Sequence, residues 1–343
     1  MKRILCARSS QAPVGSIPER TQAAPFLGSI GTPIHSGLRV LLATTPNAAQ
    51  WQSAFARALP EVDLLVWPSA SQIVDFALVW KPPRDLFARV QVRHAIFNLG
   101  AGVDSLLEVP TLPDDVPIVR LEDAGMAMQM AEYVALAVLR AYREQDAYAA
   151  QQREQRWHQR ARMSKADFGI GLLGLGVLGE AVTRALRGFD FPLFGWSRSP
   201  RTMPGVTTFA YADGLRQLLA RSRVLVVMLP LTAETTGLLD RQTLGQLPRD
   251  AHLINVARGP LVVEKDLIDL LDEGHLASAT LDVFDPEPLP PTHRFWRHPK
   301  IVVTPHVSAV TLFDESAKQI AAKLRAMIHG EPITGIVDRQ RGY

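Results

Sequence analysis

Gly174-Leu-Gly176-Val-Leu-Gly179 has the spacing G-x-G-x-x-G, preceded by the apolar run Phe168 to Leu173 and followed by the helix-forming "EAVTRAL". Glycines so placed permit a tight turn, close approach of backbone to a pyrophosphate and close helix packing. The helix N-terminus at Val177 and Leu178 adds positive partial charge. A glycine turn also arises for packing alone, but the strand before and the helix after this one describe a dinucleotide cradle. About 20 residues on, where a carboxylate usually receives the ribose 2′-hydroxyl, the chain reads Ser197, Arg198, Ser199, Pro200, Arg201. A carboxylate there would repel a 2′-phosphate, whereas a guanidinium would bind it bidentately. The expected coenzyme is therefore NADP(H), with NAD(H) usable. The alternative is that Arg198 and Arg201 are solvated loop arginines.

The elements that must hold this cradle can be read from short apolar runs separated by helical patterns. From Leu38 come "LRVLLAT", the helix-like "NAAQWQSAFARAL", then "VDLLVW", "FALVW" and "HAIFNLG". A helical stretch of about thirty residues starts near Met126, with Val134, Leu136, Ala137 and Leu139 expected to be buried. Six further runs follow: "FGIGLLGLG", "FPLFGW", "RVLVVMLP", "HLINVA", "SATLDVF" and "KIVVTPH". The alternation predicts an α/β fold of two doubly wound parallel-sheet domains. The helix in "DESAKQIAAKLRAMIHG" is expected to return to the first unit, so the second domain is an insertion. Expected boundaries are 37–135 with 308–343 for the first domain and 136–307 for the second. Residues 1–36 lack periodicity and read as a disordered extension or an overlong start.

At 343 residues, two cores are the default expectation. A net charge of +3 from scattered arginines argues against nucleic acid. No run approaches the ~20 apolar residues of a membrane span. The lone Cys6 precludes a disulfide within one chain and fits the cytoplasm. The nine histidines show no metal-ligand spacing, so no metal is expected.

"HLINVARGPLVVEKDLIDLLDEGHLASATLDVFDPEPLP" and "HPKIVVTPHVSAVT" resemble the signature region of the D-isomer-specific 2-hydroxyacid dehydrogenases. With "LGAGVD", "MAEYVALAVLRAYR" and "MLPLTAETTGLL", the resemblance runs from about Leu38 to Tyr343. "FALVWKPP", "LGAGVDSLL" and the ending "VDRQRGY" are similar to the glyoxylate/hydroxypyruvate reductase A subgroup. The resemblance implies a Rossmann NAD(P)-binding domain inserted in a flavodoxin-like substrate domain. It also implies a homodimer through the cofactor-binding domain, for which "YREQDAYAAQQREQRWHQR", with Trp157, is the candidate arm.

The catalytic set it implies is Arg258, Glu287 and His306, and the chemistry asks for those types. Reducing a 2-keto acid needs a proton donor at the carbonyl oxygen, a role suited to the His306 imidazole. A carboxylate beside an imidazole favours the imidazolium, the task of Glu287. Arg258 offers a cation to the substrate carboxylate and to charge building on the carbonyl oxygen. Singly, Arg258 could terminate a strand, Glu287 could be loop surface and His306 a structural histidine. The resemblance further implies that the amides of Ala101 and Gly102 meet the substrate carboxylate. Pro230, Thr235, Val256, Ala257 and Asp282 would line the cofactor. One departure is "PTHRFWRHP", where Arg294-Phe295 replace a usual Pro-Leu. The expected function is NADPH-dependent reduction of glyoxylate or hydroxypyruvate. The alternatives are a dehydrogenase of a bulkier D-2-hydroxy acid and a corepressor-like, nucleotide-gated binding protein on the same fold.

Overall fold

Strands rich in Val, Leu, Ile and Phe and buried on both faces pair most readily in parallel sheets covered by helices. The computed structural model describes residues 37–343 apart from positions 46 and 70. The first sheet holds β1 (Arg39–Thr44), β2 (Asp63–Val66), β3 (Ile73–Trp80), β4 (Gln91–Asn98) and β5 (Ile118–Arg120) in the order β2-β1-β3-β4-β5. The second holds β6 (Ile170–Leu173), β7 (Leu193–Ser197), β8 (Thr207–Ala210), β9 (Val224–Val227), β10 (Ala251–Asn255), β11 (Leu276–Leu281) and β12 (Ile301–Val303). Its order is β12-β11-β10-β9-β6-β7-β8. All these pairings are parallel. The first order is the flavodoxin-like one and the second is Rossmann with an added strand. Strand order reverses between β9 and β6, so the crevice of a doubly wound sheet opens beside the glycine loop that follows β6.

The helix Phe313–Ile328 returns to the first sheet, burying Ala317, Ile320, Ala321 and Leu324 among Trp51, Phe55, Phe76 and Phe97. The long helix expected after Met126 is two helices, Met126–Tyr142 and Gln145–Arg153, broken where Glu144 takes a left-handed φ of 51°. Arg140 spans the break to Asp146, Nε to Oδ1 2.8 Å. Neither Gly nor Pro marks that break in the sequence. Leu136, expected to be buried, is 69% exposed. Met130, Ala131, Val134, Ala137 and Val138 form the buried stripe, and Leu136 lies on the opposite side of a 3.6-residue turn. The second sheet has seven strands rather than six; β8 is an edge strand with no fully buried residue. The expected extension, residues 1–36, lies outside the described residues.

Beneath the second sheet, His252 on β10 sets its Nδ1 2.8 Å from Ser278 Oγ. Burial, reinforced by the Arg223 charge, pushes its pKa down to about 4. An unfolded histidine titrates near 6.5. Between those values the unfolded chain takes up a proton that the folded chain refuses, so stability falls as pH falls through that window. From pH 7 to pH 5 the loss due to His252 is about 2 kcal/mol. Urea unfolding at the two pH values should show it. His252→Gln should remove that part of the pH dependence, and an unchanged dependence would refute the assignment.

Candidate active site

Loops at the carboxyl ends of β4, β6, β7, β9, β10, β11 and β12 carry the expected site residues, the position at which open α/β sheets bind ligands. Arg258 follows β10, Glu287 follows β11 and His306 follows β12, three adjacent strands.

Two buried asparagines shape the loops that would hold the substrate anion. Asn98, the last residue of β4, donates from Nδ2 to the carbonyls of Gly100 and Gly102, each at 2.8 Å. Those carbonyls are thus tied down. Among the described residues no acceptor takes the amides of Ala101 and Gly102. Asn255, the last residue of β10, plays the matching part. Its Nδ2 donates to the Arg258 carbonyl at 2.9 Å, and its Oδ1 accepts from the Ala257 amide at 3.1 Å.

Arg258 reaches across to the first sheet. Its Nε donates to both carboxylate oxygens of Asp104, at 3.1 and 3.2 Å, and its Nη1 to the Ala257 carbonyl at 2.7 Å. The guanidinium lies over Gly102, where an added Cβ would fall 1.7 Å from Nη2. Only glycine admits that approach. Asp104 therefore ties the Arg258 cation, on a loop of the second sheet, to the Ala101–Gly102 loop of the first.

His306 and Glu287 are equally fixed. His306 Nδ1 lies 2.8 Å from Glu287 Oε2, and the Phe284 amide donates to the other oxygen, Oε1, at 3.1 Å. This leaves Nε2 as the imidazole nitrogen with no partner among the described residues. His306 takes a left-handed φ of 55°, uncommon outside glycine. Asp282 accounts for that conformation. Fully buried, it accepts from the amides of Val307 (2.9 Å) and Ser308 (2.8 Å) and from Thr304 Oγ1 (2.5 Å), while its carbonyl accepts from the His306 amide at 2.9 Å. Tyr133 completes the chain at 2.6 Å from Thr304 Oγ1, and burial pushes its phenol pKa up. Asp282, expected at the nicotinamide carboxamide, accepts three hydrogen bonds from the turn that carries His306.

The cofactor loop has the shape of a pyrophosphate cradle. Gly174 has φ +105°, and a Cβ on it would meet the Met228 carbonyl oxygen at 2.6 Å. At Gly176, the N-cap of helix Val177–Arg187, a Cβ would meet nothing within 4 Å, and no side chain caps that helix. Among the described residues no acceptor takes the amides of Val177 and Leu178, where an anion would be favoured. Arg201 Nη1 donates to the Leu175 carbonyl inside this loop, so Arg201 braces the cradle. Ser197 Oγ donates to the Ser199 carbonyl at 2.7 Å, closing the turn around Arg198. Thr235 Oγ1 donates to the Pro230 carbonyl at 2.7 Å, and Val256 and Ala257 are buried at the end of β10. These residues fit a dinucleotide.

Asn98, Asp104, Asn255, Thr304 and Tyr133 escaped the sequence reading: Asp104 and Tyr133 act across 154 and 171 positions, whereas Asn98 and Asn255 bond backbone only two to four residues away, where nothing in the residue type sets them apart. Trp80 escaped it too. Its ring lies 2.2 Å from where a Gly100 Cβ would sit, so it packs on the substrate loop. Phe295 of the departing segment is buried beside Phe284, ring centroids 6.2 Å apart. Arg294 pairs with Asp272 at the surface.

A family model described as "D-isomer specific 2-hydroxyacid dehydrogenase, NAD binding domain" matches residues 135–308. A glyoxylate/hydroxypyruvate reductase A from Serratia proteamaculans is 43% identical over 303 residues, 87% of this chain and 97% of the relative. A D-isomer specific 2-hydroxyacid dehydrogenase from Xanthobacter autotrophicus, solved with NADPH and MES, has a TM-score of 0.85 at 41% identity, covering 90% of this chain and 100% of that one. An NADPH-dependent glyoxylate/hydroxypyruvate reductase from Sinorhizobium meliloti, solved with NADP and sulfate, has a TM-score of 0.83 at 35% identity, with the same coverage.

Proposed function

The chain belongs to the D-isomer specific 2-hydroxyacid dehydrogenase family, and from that premise we propose that it reduces glyoxylate and hydroxypyruvate to glycolate and D-glycerate with NADPH. The observation that carries this reading is the pairing of an anion-binding surface, Arg258 over Gly102, with an imidazole whose Nδ1 is held by a carboxylate. The similar proteins from Serratia and Sinorhizobium, named for this activity, support it.

The substrate carboxylate binds the amides of Ala101 and Gly102 and the Arg258 guanidinium, which places the keto group toward the His306 side. When bound, the reduced nicotinamide supplies a hydride to the keto carbon. His306 donates the Nε2 proton to the carbonyl oxygen, while Glu287 keeps the Nδ1 proton in place and balances the imidazolium charge before transfer. Half-exposed, the imidazole then recovers its proton from water. Arg258 stabilises negative charge on the oxygen during transfer.

The glycine loop and the first turn of helix Val177–Arg187 would hold the pyrophosphate, and Arg198 the 2′-phosphate. We divide the chain into a substrate domain, 37–135 with 308–343, and a cofactor domain, 136–307; the family match over 135–308 supports the division. We also infer a homodimer. Trp157 is fully exposed, and Met128 and Leu136 lie two-thirds exposed eight residues apart on one helix, apolar area of the kind that marks an interface. No described helix is long and apolar enough to cross a membrane. We infer a cytoplasmic location from the lone Cys6, which fits a reducing compartment.

NADPH absorbance followed over a panel of 2-keto acids tests the activity. Turnover confined to bulky keto acids would move the substrate class, and no turnover at all would favour a binding protein. The cofactor assignment has its own test. A charged hydrogen bond contributes about 1.5–3 kcal/mol, roughly tenfold to hundredfold in affinity. Arg198→Ala should raise KM for NADPH by that factor and barely change KM for NADH. Adding Ser197→Asp should turn the preference toward NADH. A wild type that prefers NADH would overturn the cofactor assignment.

A further inference from the structure

The segment that follows the returning helix links the first sheet to the cofactor loops of the second. The Val337 amide donates to the Ile118 carbonyl, and the Arg120 amide to the Gly335 carbonyl, each at 2.9 Å, so the segment lies along β5. Arg339 Nη2 donates to the Val116 carbonyl at 2.7 Å. Past this anchor the chain turns on itself, with the Gly342 amide on the Asp338 carbonyl at 2.9 Å. There it meets the second sheet's loops. Gly342 sits so near Thr232 that a Cβ would lie 3.3 Å from the Thr232 Cγ2. Tyr343 then meets Arg198. The guanidinium carbon is 5.5 Å from the ring centroid, and Arg198 Nη2 donates to the phenol oxygen at 2.8 Å.

We propose that Tyr343 is a positioning residue that aims Arg198 at the 2′-phosphate of NADP(H). The proposal rests on the assignment of Arg198 to that phosphate. A half-exposed arginine loses side-chain freedom when it binds an anion, and orienting it beforehand removes part of that loss. The partner matters as much as the orientation. A phenol and a ring face are neutral, so they hold the guanidinium without cancelling the charge that attracts the phosphate. Glu234, the acidic neighbour, stands at 3.5 Å and is 75% exposed, a weak and screened competitor that an incoming phosphate can displace. One guanidinium nitrogen engaged by Tyr343 leaves the other N–H groups for a bidentate contact. Because the segment is anchored on β5, the arginine is aimed only while the two sheets hold this arrangement, which couples recognition of the 2′-phosphate to the substrate domain.

Titration calorimetry with NADP+ and with NAD+ on the full chain tests this, using Tyr343→Phe, Tyr343→Ala, Arg198→Ala and the double variant Arg198→Ala/Tyr343→Phe. Melting temperatures identify any variant that fails to fold. Tyr343→Phe keeps the ring and loses the hydroxyl. It should weaken NADP+ binding by about threefold to tenfold, the range of one net hydrogen bond. Tyr343→Ala should weaken it further, and NAD+ affinity should change less than twofold in both. In the Arg198→Ala background, Tyr343→Phe should add nothing, since its effect passes through the arginine. Equal weakening of NADP+ and NAD+ would overturn the proposal and make the segment a scaffold. If Arg198→Ala weakens NADP+ while the Tyr343 variants do not, the proposal falls and the cofactor assignment stands. If Arg198→Ala leaves NADP+ affinity unchanged, the assignment falls and the proposal with it.

Discussion

His306→Ala removes most of kcat for glyoxylate, by about 10²- to 10⁴-fold, the usual worth of a positioned general acid, and leaves NADP+ affinity near that of the wild type. The geometry dictates both halves. Nδ1 is engaged by Glu287 at 2.8 Å, so Nε2 is the nitrogen available to the carbonyl oxygen. The turn that carries His306 is fixed by backbone amides on Asp282 rather than by the imidazole, so removing the ring leaves the loop in place. Glu287→Gln separates charge from geometry. The amide keeps the size and reach of the carboxylate but carries no charge beside the imidazole. The kcat for glyoxylate at fixed pH should fall, since the carboxylate charge that steadies the proton-donating ring is gone. A Glu287→Gln kcat equal to that of the wild type would show that the carboxylate only orients the ring. A His306→Ala enzyme with near-normal kcat would place the proton donor elsewhere.

What was legible in the sequence was whatever local spacing encodes. The glycine loop could be read because strand, turn and helix are contiguous from Ile170 to Arg187. The strands of the second sheet's centre could be read because burial on both faces leaves unbroken apolar runs such as Val224–Val227. β8 could not, since an edge strand faces water and carries no such run. The break at Glu144 was hidden for a different reason: no helix-breaking residue marks it. Leu136 was misplaced because an apolar composition was read without its phase around the helix. The triad came from a resemblance, not from spacing, since its residues lie on three separate loops. Asp104 was inaccessible for another reason. Its contact with Arg258 spans 154 positions in the chain, and only the fold brings the two together. The same holds for Tyr343 on Arg198, 145 positions apart.

Arg258→Lys should reduce kcat/KM for glyoxylate by about 10²-fold, through both KM and kcat, with NADP+ affinity preserved. Lysine keeps the charge but offers a single ammonium in place of a fork that now reaches Asp104 through Nε and the Ala257 carbonyl through Nη1. It cannot hold both and still present an N–H pair to a carboxylate. The guanidinium also brings Nη2 to within 1.7 Å of where a Gly102 Cβ would sit, a close approach that the ammonium of lysine would have to reproduce from a different stem. Asp104→Asn decides between the two functions of the arginine. If Arg258 serves chiefly as a tie between the sheets, weakening its partner should cost as much as replacing the arginine itself, and melting temperatures should fall in parallel. If it serves the substrate, Asp104→Asn leaves the cation intact beside the amides of Ala101 and Gly102. The loss should then be about tenfold or less, and it should appear in KM more than in kcat, since one imperfectly held guanidinium still supplies its charge to the developing alkoxide. Steady-state kinetics of the two variants on glyoxylate, with calorimetry for NADP+, make the comparison. Equal losses in both would assign Arg258 to the architecture, and near-normal kcat/KM in Arg258→Lys would remove it from the reaction.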